Sequence, residues 1–148
     1  MKRAAAFVRL PDNRDQPCCF VRNLNWRPGS PVAHVVHRDY AIGMHTHEFL
    51  EINFVRRGSG RHFIEKESFP VAQGDAFVIP AMVRHGYLGG RGLDVHHCLL
   101  HPDFVRRSLS AWRLLPGFLM LFTIEPYFRQ ATAFRHGLRL ARRARKDA

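Results

Sequence analysis
Cysteine is scarce in this chain, and its placement excludes a disulfide framework. Three are present. Cys18 and Cys19 are adjacent and Cys98 is remote. Neighbouring cysteines rarely pair and the count is odd, so the chain reads as a reduced, intracellular protein. No CxxC or other zinc-finger spacing occurs, and Cys18 and Cys19 are expected to be small apolar filler. No apolar run is long enough to span a membrane. The apolar stretch at the start, in MKRAAAFVRLPDNRD, is broken too soon by Arg9 and Pro11 for a signal peptide. A cytoplasmic address with no membrane partner is expected. Internal repeats and low-complexity tracts are also missing. Acidic residues are few, 12 against 23 lysines and arginines, giving a formal net charge of +11. The positive charges are spread along the chain, with a denser run only in the final ARRARKDA. Charge alone is therefore weak evidence for DNA contact, and the tail reads as a solvated helix end or frayed terminus.

What is present is a folded domain. The 148 residues are 46% hydrophobic with 12 phenylalanines, enough for one sizeable core. Residues 1–30 show little periodicity and read as an arm, with short edge strands at Phe7–Leu10 and Phe20–Leu24. Residues 31–101 read as short strands separated by turns, the pattern of an all-β barrel or jelly roll. Strands are expected over Val32–Arg38, Tyr40–His47, Phe49–Arg57, Arg61–Glu65, Phe69–Val71, Ala76–Ile79, His85–Leu88 and Leu93–His101. Gly58-Ser59-Gly60 reads as a hairpin turn, and Gly89-Gly90-Arg91-Gly92 as another. In the third of these strands Glu51, Asn53 and Val55 share one face, and Ile52, Phe54 and Arg56 the other. Two polar residues leading the inner face point to a small cavity. From Pro102 the chain turns helical. Asp103 caps a helix over Phe104–Leu114, and Pro126 opens a second with a seam at Tyr127, Ala131, Phe134, Leu138 and Ala141.

The chemistry concentrates between Met44 and Tyr87. His45 and His47, two apart, fall on one face of a strand. Glu51 follows, and His85 returns after turns at Gly58, Gly60, Gly74 and Pro80. Three imidazoles and a carboxylate suit a borderline divalent metal with open positions (Zn, Fe, Mn or Ni). The alternative is a polar pocket whose members bond each other or a ligand. In that pocket His47, Glu51, Asn53, His85 and Tyr87 supply directional contacts, and Phe49 and Phe77 apolar wall. His34 and His37 are expected at the surface.

These residues carry a resemblance. His45-x-His47, Glu51 and Gly58 match the first cupin motif, and Gly74, Pro80 and His85 match the second. The wording HTHEFLEINFVRRGSGRHFI, GDAFVIPAMVRHGY and VHHCLLHPDFV, with the later LPGFLMLFTIEPYFR, resembles the amino-terminal ligand-sensing domain of AraC-type transcription regulators over residues 30–138. The resemblance implies a cupin double-stranded β-helix with a C-terminal helical extension over 102–148. It implies a sugar or other small polar metabolite as ligand, no cofactor as a rule, and a homodimer as an option. DNA would be reached only through a helix-turn-helix domain, which this chain does not encode. A small metal-dependent cupin enzyme of dioxygenase or isomerase type is the alternative.

Overall fold
The computed structural model describes residue 19, residue 24, residues 26–124 and residues 138–139. Seven strands there form one antiparallel sheet: β1 (Val32–His37), β2 (Ile42–His45), β3 (Leu50–Ile64), β4 (Glu67–Ala72), β5 (Asp75–Ile79), β6 (His85–Leu100) and β7 (Leu138–Arg139). Helix α1 (Pro102–Trp112) and a π-helical turn (Met120–Ile124) lie between β6 and β7. The all-β fold with a helical extension is thus the architecture observed.

Two long strands organise the sheet. β3 and β6 pair from Leu50 opposite Leu100 to Ile64 opposite His85. On its other edge β3 holds β5 with its first half and β4 with its second. β6 carries β1 at one end and β2 at the other. The halves of β3 turn toward each other, so that His62 of the second half stacks on Phe77 of β5, a strand paired to the first half.

The glycine runs do not make the expected hairpins. Both lie inside continuous strands, and the register shifts between Val55 and Gly60 mark a bulged bend there. The physical reason is close approach. Gly58 sits at φ +74°, and a Cβ on it would run into the backbone of Arg91 and Gly92. A Cβ on Gly60 would lie 2.7 Å from the Leu88 carbonyl oxygen. Two glycine runs meeting across a strand pair let both backbones bend together, a use of glycine that resembles a turn in one dimension only.

Period-two alternation holds on β3. Glu51, Asn53 and Val55 are buried, and Ile52, Phe54 and Arg56 half-buried. The apolar core joins Tyr40, Val55, Val71, Phe77, Ile79, Tyr87, Leu93 and Val95. α1 starts two residues before the expected Phe104. Its cap is His101, whose ring Nδ1 accepts from the Asp103 amide, with Pro102 at the first helical position. Leu138, expected in the seam of a second helix, pairs with Ala76 as a strand residue instead. The rest of that helix, the expected edge strand Phe7–Leu10 and most of Phe20–Leu24 lie outside the described residues. Among the described residues no helix is long and apolar enough to cross a membrane.

Candidate ligand and metal site
β2 places His45 directly opposite His85, the first residue of β6. The chain then leaves the sheet, and His47 is held by a parallel bridge to Cys19 and by a bond from the Met82 amide to its carbonyl. That second bond draws the loop after β5 against His47, and His85 follows three residues later. Glu51 arrives on the inner face of β3. Donor atoms of His47, Glu51 and His85 all lie within 4.8 Å of one another, and all three residues are buried. His45 is adjacent but outside that trio: its ring lies 4.2 Å from that of His85 and 6.3 Å from that of His47.

The ring nitrogens are sorted by their partners. Nδ1 of His45, His47 and His85 faces the carbonyl oxygens of Gly43, Phe49 and Val83, at 3.0, 2.8 and 3.0 Å. A carbonyl only accepts, so each Nδ1 carries a proton and donates it. With Nδ1 protonated and the charged form disfavoured by burial, His85 turns a bare, buried Nε2 inward, the form that binds a metal or accepts from a ligand. His47 Nε2 stands 3.1 Å from Glu51 Oε2. That spacing lets the two groups share a proton or hold a cation between them. The donor set fits a borderline divalent ion.

Glu51 has a second partner that the sequence reading missed. His97 Nδ1 donates to Glu51 Oε1 at 2.8 Å. Burial alone would raise the Glu51 pKa, but the bonds from His47 and His97 outweigh it and hold the carboxyl well below its usual range. Burial pushes His85 down to about 3, and it lowers His45 as well. The interior at neutral pH thus presents one carboxylate among uncharged rings at His45 and His85.

The remaining expected pocket residues are all buried. The Phe49 ring stacks on His47 at 4.3 Å. Phe77 and Tyr87 each stack on His62, at 4.8 and 4.7 Å, and lie 6.4 Å from each other. Asn53 is fully buried, directly opposite Phe77 on one side and His97 on the other. His62, His97 and Tyr40 join this lining without having been singled out in the sequence. Alternation along Val95, His97 and Leu99 could have shown His97 facing inward; His62 lies beyond the bulge, where a count from Glu51 loses phase. His34 pairs with His96 on the outer face, 3.3 Å apart, and exposed His37 stacks on Tyr40 and meets His97 edge-on.

The HTH-type transcriptional activator RhaR of Salmonella agona is 31% identical over 74 residues, 50% of this chain and 26% of that protein. RhaR of Salmonella dublin gives the same identity and coverage. The chain thus spans about a quarter of the length of these curated relatives. A Cupin 2 conserved barrel domain protein from Salinispora arenicola matches at 17% identity and TM-score 0.47, over 60% of this chain and 79% of that one. A cupin-2 domain protein from Shewanella frigidimarina matches at 14% and 0.45, over 51% and 76%. The family described as the AraC-like ligand binding domain matches residues 28–146. This chain belongs to that family.

Proposed function
We propose that the domain is the effector-sensing part of an AraC-type transcription regulator, and that the effector binds inside the sheet among His47, Glu51, Asn53 and His85. The observation that carries this reading is the buried polar lining. Among the described residues, six polar or charged side chains, His47, Glu51, Asn53, His62, His85 and His97, are buried. Burying so many polar groups is unfavourable unless a ligand or partner uses them. Phe49, Phe77 and Tyr87 supply apolar wall. Binding would favour one of two arrangements of the domain, and so the geometry of a DNA-binding domain joined to it. The partners proposed are a sugar or other small polar metabolite, a second copy of the chain, and DNA through a helix-turn-helix domain of the full regulator.

A second reading is favoured by the 3.1 Å approach of His47 Nε2 to Glu51 Oε2. On it a divalent cation is held by His47, Glu51 and His85, with His45 beside them. Such an ion would act as a Lewis acid and could anchor an oxygen of the effector. A metal-dependent cupin enzyme would use the same ligands. Turnover by metal-loaded protein would favour that enzyme over the sensor.

Thermal unfolding against a panel of small polar metabolites and of Zn, Fe, Mn and Ni salts tests these readings. A ligand that raises Tm in the native protein, but not in His47→Ala or Glu51→Ala, supports the site. Stabilisation that survives both substitutions rejects it.

A further inference from the structure
We propose that His34, His96 and Cys98 form a transition-metal site on the outer face of the sheet, suited to a tetrahedral ion of the zinc class. It uses none of the interior residues and stands whether or not those hold an ion of their own.

Strand register brings the three together. β1 and β6 pair without a shift from Val32 opposite Leu100 to His37 opposite Val95, which puts His34 directly opposite Cys98. Directly opposite residues share a face of the sheet, and so do residues two apart on one strand. His96 comes two residues before Cys98, so all three side chains stand on one face. That face is the outer one. Val95, His97 and Leu99 are buried, while the alternating His96 and Cys98 are half-buried and His34 is exposed.

The two rings meet nitrogen to nitrogen. His34 Nε2 lies 3.3 Å from His96 Nδ1. That is long for a hydrogen bond, whose N–H···O counterparts run to about 3.2 Å. It is the span of a tetrahedral chelate. Two nitrogens each about 2.0–2.1 Å from a zinc ion, with the tetrahedral angle between them, stand about 3.3–3.4 Å apart. Without an ion the facing nitrogens share one proton at most. A metal takes the place of that proton, which leaves to solvent, and each ring keeps a proton on its other nitrogen. A hydrogen bond at an exposed ring adds little, because water serves that ring as well.

Cys98 supplies the third position. It is a free thiol. Its Cβ and that of His34 stand about 4.5–5.5 Å apart, the spacing of a directly opposite pair. Among the described residues, donor atoms of three such side chains lie within 4.8 Å of one another only in the interior trio. Cys98 Sγ therefore reaches the ion by rotation about its Cα–Cβ bond. Two imidazoles and a thiolate are a ligand set that zinc accepts, with water in the fourth place. Arg56 acts against a cation at His96 and Asp94 acts for one. Among the described residues β1 pairs with β6 alone. An ion bridging His34 and His96 would staple that edge strand to its neighbour.

Titration of the whole chain with Zn2+ and Co2+ tests this, with His34→Ala, His96→Ala, Cys98→Ser and His47→Ala compared with wild type. Co2+ gives intense visible bands when tetrahedral, and a charge-transfer band when a thiolate binds it. The expected result is one binding event that His34→Ala and His96→Ala each weaken at least tenfold and that survives His47→Ala. Cys98→Ser should remove the charge-transfer band. In the unmutated chain, the ring nitrogens of His34 and His96 should shift in NMR spectra on adding Zn2+, a readout that needs no variant to fold. The proposal is overturned if those rings do not shift, or if neither alanine variant weakens any event; the pair is then a surface hydrogen bond only. Metal lost in His47→Ala but kept in both His34→Ala and His96→Ala also overturns it, since the ion then sits inside the sheet. A wild-type chain with no charge-transfer band strikes Cys98 from the ligand set.

Discussion
Glu51 keeps a negative charge inside the sheet because two imidazoles hold it there, and its loss would be felt first by whatever binds. His47→Ala and Glu51→Gln should each weaken Zn2+ or Ni2+ binding by at least tenfold, about 1.4 kcal/mol, while circular dichroism stays that of a folded β protein. Competition titration with a chromophoric chelator measures it. The same residues set a pH dependence. His85 has its folded pKa depressed to about 3 from 6.5, so between those values the unfolded chain binds a proton that the folded chain does not. Stability therefore rises with pH across that window and falls as the solution is acidified. His45 is shifted in the same direction. Glu51 adds stability that is present above its unfolded value of 4.5 and is lost as pH drops through its lower folded value. Urea unfolding at pH 5.0 should show about 2 kcal/mol less stability than at pH 7.5 from His85 alone. His85→Gln should flatten that slope; an unchanged slope would mean that His85 is not buried neutral.

At the scale of elements, the bend shared by β3 and β6 determines whether the inner face closes on itself. Gly58→Ala meets two penalties together, a positive φ and a backbone collision with Arg91 and Gly92. It should cost roughly 3 kcal/mol or more, read as a lower urea midpoint with an unchanged slope. Alanine at Gly29, which also has positive φ but nothing within 4 Å, should cost much less. Sequence reading found every strand from β1 to β6 in approximate position, because alternation and turn residues are local signals. It divided β3 and β6 in two, because glycine clusters announce a bend without saying whether the strand continues through it. The choice rests on contacts between Gly58 and Gly92 and between Gly60 and Leu88, more than twenty residues apart in sequence.

On the scale of the whole molecule, binding and folding are linked. A cation held by His47, Glu51 and His85 in the folded state alone should raise stability by about 2.7 kcal/mol at one hundred times its dissociation constant, and EDTA should reverse the rise. The segment that follows α1 carries a different signal. Leu114, Leu115, Leu119 and Met120, at and beyond the end of α1, are 80%, 57%, 55% and 59% exposed. If a second copy covers them, Leu115→Ser with Leu119→Ser should shift a dimer to monomer in sedimentation at micromolar concentration. Ligand binding at the proposed site should be unaffected, since these residues are not among those assigned to it.

The amino-acid sequence by itself determined the all-β class, the inward set of Glu51, Asn53 and Val55, and the motif spacing that carries the family. Those follow from local periodicity and from residue types at short separations. Only the tertiary structure decided which of four candidate ligands converge. It drew His47, Glu51 and His85 within 4.8 Å, set His45 to one side, and brought in His97 from forty-six residues beyond Glu51. It also decided which ring nitrogen each histidine turns inward. That depends on the Gly43, Phe49 and Val83 carbonyls, whose directions are fixed by backbone conformation that residue identity alone does not specify.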